Sequence, residues 1–170
     1  MKQTLFIILV TIFYNVSGQR LGMYIDGNVS FDNALFSISE AGENFPSSLE
    51  SETSIDVTIY YLGGFLAYIF LPDKHWHINI SKIDFNWDDD LIIEARRAGN
   101  GNLIDPYTAQ DLFIVDGDSY QEISDTPNYF FRGRHGISNI PLQLQISGAS
   151  LAMGAETYET KIVLTVYEGW

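Results

Sequence analysis

The 170-residue chain carries 9 lysines and arginines against 22 aspartates and glutamates, a formal charge of −13 with a pI near 4.3. Such a balance offers no basic stripe to displace counterions from phosphate, which argues against nucleic-acid binding and against docking on an anionic membrane. The lack of cysteine excludes a disulfide scaffold, a thiolate zinc site and a lipidated N-terminal cysteine, while 46% hydrophobic and 14% aromatic residues supply the core of one domain.

Lys2 is followed by an apolar run from Leu5 to Phe13, broken only by Thr11, and then by the small and polar residues Asn15-Val16-Ser17-Gly18. This is the three-part pattern of a secretory signal peptide, and the run is about half the length needed to span a bilayer. Residues 1–18 are therefore expected to be a cleaved signal and residues 19–170 a single exported domain, secreted or held at the cell surface. Losing Lys2 and no acid takes the charge from −13 to −14. No membrane insertion of the mature chain is expected. A transmembrane barrel ending at Trp170 is disfavoured because Glu168 shares the alternation phase of Ile162, Leu164 and Val166, which would set a carboxylate in lipid.

Downstream, period-two alternation predominates, the mark of half-buried strands. Leu21, Met23, Ile25, Val29 and Phe31 share one parity. Further strands are predicted at Ala34 to Ser39, at Ile55, Val57, Ile59 and Tyr61, and over the apolar run Phe65 to Leu71. Trp76, Ile78 and Ile80 alternate with polar residues, Leu91-Ile92-Ile93 opens another strand, and Leu142, Leu144, Ile146 and Ile162, Leu164, Val166 close the series. Glycine-, proline- and aspartate-rich turns separate them, and Gly42 to Thr53 reads as a long exposed acidic loop. One helical turn or two is predicted between Thr108 and Val115, after Asp105-Pro106. The pattern describes an all-β protein, an antiparallel immunoglobulin-like β-sandwich of about eight strands. Its core is expected to include Trp76, Ile78, Leu142, Leu144, Ile146, Leu164 and Val166.

Near the C-terminus, Ile140-Pro141-Leu142-Gln143-Leu144-Gln145-Ile146 is followed by Gly154-Ala155-Glu156-Thr157-Tyr158 and the closing strand Ile162 to Tyr167. This stretch resembles the C-terminal end of spore-coat-U-like and related pilin-like secreted domains, and Trp76-His77-Ile78 loosely matches an inner-strand tryptophan of the same relatives. The resemblance covers about a third of the exported chain, and this sequence differs from many relatives in lacking a cysteine pair. It implies a sandwich exported to serve as a structural or adhesive subunit of a fibre or coat, with a partner subunit or a second copy of itself. Under that reading Leu21, Met23, Ile25, Val29 and Phe31 are candidates for a strand donated to a neighbour, its alternate side chains filling the neighbour's pockets. The other reading makes them the first strand of the chain's own sandwich, and sequence leaves both open.

The rival function is an extracellular carbohydrate-binding module, calcium-assisted if its acidic loops take the ion, with Trp87 and Phe85 as stacking residues and Tyr107, Tyr120 and Tyr129 as further candidates. Trp87 draws attention because it precedes the acidic run Asp88-Asp89-Asp90. His75 and His77 have a spacing that could chelate a metal with Asp73 or His135, and Asp88-Asp89-Asp90 and Asp116-Gly117-Asp118 with Glu122 resemble fragments of calcium loops. None of these fixes a full ligand set, so no metal or cofactor is expected. The chain has no nucleophile elbow, phosphate loop or dinucleotide fingerprint, and no enzymatic activity is expected. Arg132, Arg134 and His135 form the one concentrated positive stretch, suited to an acidic surface on a neighbouring copy.

Overall fold

The computed structural model describes residues 21–31, 47–62, 75–104, 109–150 and 157–169. The expected signal peptide, the strands at 34–39 and 65–71, Asp73, Tyr107 and the 154–156 part of the C-terminal resemblance lie outside them. The described residues form an antiparallel β-sandwich. In chain order the strands are β1 (Leu21–Asp26), β2 (Ser48–Glu50), β3 (Ile55–Tyr61), β4 (His75–Asn86), β5 (Ile92–Arg97) and β6 (Asn102–Leu103). They continue with β7 (Phe113–Val115), β8 (Gln121–Glu122), β9 (Asn128–Arg134), β10 (Ile137–Ser147) and β11 (Glu159–Glu168).

One sheet runs β1-β3-β10-β5-β8, with the short β2 and β6 also paired to β10, and the other runs β11-β4-β9-β7. The long β10 organises the first sheet, taking β3 and β2 on one edge and β6 and β5 on the other. Pro141 sits in this central strand, where a missing N–H would normally leave a gap in the ladder. It falls between the β6 pairing, which ends at Ser138, and the β5 pairing, which begins at Leu142, while its carbonyl accepts from Ala98 N at 2.7 Å.

The two sheets bury a common core in which Val57, Ile59, Ile93, Ile137, Ile140 and Leu142 face Trp76, Ile78, Phe131, Ile162 and Leu164. Trp76, Ile78, Leu142, Leu144, Ile146 and Leu164 are buried as expected, and Val166 packs against them half-buried. Alternation gives this result directly, because side chains two apart share a face.

Three expectations change. The loop expected from Gly42 to Thr53 contains β2, where Leu49 and Ser51 are each 4% exposed. Ser51 extends the ladder past β2, its N–H donating to Leu144 O at 2.8 Å and its Oγ accepting from Leu144 N at 3.2 Å. A single leucine among acids and serines is too weak a pattern to announce a strand, yet β10 supplies the partner. The helical turn expected over 108–115 is one 3-10 turn at Ala109–Asp111, giving way to β7. Strand β9 has no counterpart among the expected strands. Its adjacent Phe130 and Phe131 are both buried, which breaks period two, because Ile78 pairs Phe131 and Asn79 pairs Tyr129, leaving Phe130 as the extra residue of a bulge. The two rings meet edge-on at 5.0 Å.

Candidate functional site

The first-strand residues are paired within their own chain. Strand β1 runs antiparallel to β3 from Leu21 opposite Tyr61 to Asp26 opposite Asp56, burying Leu21 and Met23. Ile25, Val29 and Phe31 pack half-buried on the same core. Among the described residues β1 ends one sheet and β11 ends the other, and the two approach along the same side of the sandwich. The apolar stripe that the sequence offered to either a neighbour or the chain itself thus sits at a sheet edge beside a second edge.

Phe85 and Trp87 separate in their roles. Phe85 is the extra residue of a bulge where Asn86 pairs Glu159 and Asp84 pairs Thr160, and it is 65% exposed. Trp87 turns inward despite the three aspartates that follow. Its ring packs on the core edge, its Nε1 donates to Leu91 O at 2.7 Å, and the Lys82 ammonium lies 5.6 Å from the ring centroid. The aspartates make the tight turn that allows this, with Asp90 N bound to Asp88 Oδ1 and Leu91 N to Asp88 O. The indole is therefore a core cap rather than an open stacking surface.

The Asp116-Gly117-Asp118 loop is organised around a cation from the protein. Arg97, 8% exposed, donates from Nε to Asp116 O at 3.1 Å and from Nη1 to Gly99 O at 3.0 Å and to the Asn100 side chain. Its backbone N–H reaches Gly117 O, so one residue ties two turns together. Burial lowers the Arg97 pKa from its ordinary value, opposed by the charges of Asp118 and Asp116. The Asp116 carboxylate accepts from the Tyr129 hydroxyl and lies 3.9 Å from Arg132 Nε. A calcium ion would have to displace these partners.

His75 and His77 do share the outer face of the four-stranded sheet, opposite Arg134 and Arg132 in register. His135 does not join them. It is buried in the β9–β10 turn with a φ of 65°, and its carbonyl accepts from Trp76 Nε1 at 2.7 Å. Among the described residues no group of three or more histidine, aspartate or glutamate side chains is placed to hold a metal.

His77 instead belongs to an aromatic row. Its ring stacks on Tyr167 at 5.1 Å with an interplanar angle of 16°, and Tyr129 lies on its other side at 6.4 Å and 44°. Tyr129 and Tyr167 are 43% and 42% exposed. Burial first, and then the hydrogen bond to Asp116, push the Tyr129 pKa up to about 12. Tyr120, on the other sheet's side, is raised by burial and by the nearby Glu50 carboxylate, and its ring carries the Arg96 guanidinium at 5.0 Å. Tyr129 was legible in the sequence as an aromatic, but its row with His77 and Tyr167 was not, because those three residues meet only across β9, β4 and β11. No protein-family model, curated protein or solved structure matches the chain.

Proposed function

We propose that the chain is an exported, non-catalytic structural or adhesive subunit of a cell-surface fibre or coat, assembling by exchange of its first strand between copies. The observation that carries this reading is the position of β1, among the described residues, at the end of its sheet and alongside β11, which ends the other. A neighbour's β1 laid in the same register would repeat every contact of the β1–β3 ladder, from Leu21–Tyr61 to Asp26–Asp56, so exchange costs little in the folded state. Leaving the edge empty would expose Leu21, Met23 and their backbone groups, which favours assembly over an open monomer.

The absence of cysteine makes the test clean. Tyr24 and Thr58 face each other across the ladder, a separation of about 4.5–5.5 Å between Cα atoms that a disulfide can bridge. The double variant Tyr24→Cys/Thr58→Cys, oxidised and run without reductant, should give a ladder of covalent multimers if β1 is exchanged. A single monomeric band with no free thiol refutes exchange.

A further inference from the structure

We infer that the outer face of the four-stranded sheet, around Tyr129, His77, Tyr167 and Asn79, is a binding site for a neutral saccharide. This gives the adhesive half of the proposed function its ligand and rests on that reading only for its biological setting. Exposed tyrosines are ordinarily mobile, but these rings are held. The Tyr129 hydroxyl is bound to Asp116 and its backbone carbonyl takes Gln121 Nε2 at 2.9 Å. His77 Nδ1 bonds Gly169 O at 2.8 Å, and the stacked His77 ring braces Tyr167. Aromatic surface fixed before binding loses little entropy when a ligand stacks on it, as in preorganised paratopes.

Polar groups suited to hydroxyls stand beside the rings. Asn79 lies two residues from His77 on the same face and opposite Tyr129 and Thr165 in register. Asp116 and Arg132 provide a further acceptor and donor at the rim, 3.9 Å apart. Because the charges of this pair offset one another, the rim beside the rings offers partners for hydroxyls without adding net charge, which suits a neutral, many-hydroxylated ligand. A sugar ring meets both demands, with an apolar C–H face for the tyrosines and hydroxyls for Asn79 and the ion pair.

The probe is an array of neutral glycans, applied to the purified, fluorescently labelled chain in its monomeric fraction, so that assembly does not enter the readout. Retention of at least one neutral glycan is expected. Its affinity should fall about tenfold or more in Tyr129→Ala and in Tyr167→Ala, with melting temperature recorded alongside. Tyr129→Phe, which keeps the ring and loses only the Asp116 anchor, guards against a fold defect and should bind more weakly than the parent while melting normally. Binding to no glycan overturns the inference. So does binding that survives both alanine variants, or that is lost in Phe85→Ala or Trp87→Ala instead. A monomer that binds but never assembles would refute the proposed function and leave this site standing.

Discussion

Gly133 on β9 is the direct cross-strand partner of Trp76, and the indole occupies the space a side chain there would need. A Cβ at Gly133 would collide with Trp76 Cζ2, lie 2.7 Å from Cη2 and stand 3.1 Å from Phe113 O. Trp76 is 0% exposed, wedged edge-on against Phe131 at 6.0 Å and tethered through Nε1 to His135 O. It can yield only by straining the core or breaking that bond. Overpacking of this kind costs about 1–3 kcal/mol and the lost hydrogen bond about 0.5–1.5 kcal/mol. The reduced entropy of the unfolded chain returns about 0.4–1 kcal/mol, which leaves Gly133→Ala destabilised by about 2 kcal/mol, the centre of a span of roughly 0.5–4 kcal/mol. At this chain length that lowers the melting temperature by roughly 5–10 °C. Urea unfolding followed by tryptophan fluorescence measures the loss directly. Gly22→Ala is the control, since its Cβ would come equally close, 2.5 Å from Tyr60 Cζ, but Tyr60 is half-buried at the solvent face and free to swing aside. It should change stability by less than about 1 kcal/mol. Equal stabilities for the two variants would refute the claim that the indole is immobile and that Gly133 exists to receive it.

Two further outcomes follow from the same packing. Arg97→Met removes the side-chain bonds to Asp116 O, Gly99 O and Asn100 while relieving the buried guanidinium of its desolvation, and a net loss of about 1–3 kcal/mol is expected. Hydrogen exchange should accelerate over residues 98–102 and 116–119 together, and acceleration at one turn alone would show that Arg97 does not couple them. Tyr129 supplies a pH test. Its folded pKa, near 12, lies above the ordinary value of about 10. The native state therefore keeps the proton longer, so this contribution is fully present below about pH 10 and is lost as pH rises to about 12. Tyr129→Phe should abolish that alkaline slope at little cost near neutrality, read as the difference between parent and variant urea midpoints across the range. Parallel curves would place the titration elsewhere.

Much of the sandwich was written in local pattern. β3, β10 and β11 alternate so regularly that each buried residue from Ile55 to Tyr61, from Ile140 to Ile146 and from Ile162 to Leu164 could be assigned its face, because the strand period is two whatever the partner. The same pattern could not name partners, since pairing depends on which strands meet after the chain has closed long loops. That is why β1 was legible as a strand but its place against β3 was not, and why Leu49 in β2 was hidden until β10 stood beside it. Departures from period two were settled only in three dimensions. The bulges at Phe130 and Phe85 turn one phenylalanine into the core and leave the other in solvent. The Asp88 turn folds Trp87 inward where its acidic neighbours suggested exposure. The candidate sugar site follows the same rule: Tyr129, His77 and Tyr167 are 38 or more residues apart in sequence and become neighbours through the register of β9 on β4 and β4 on β11, which no one segment encodes.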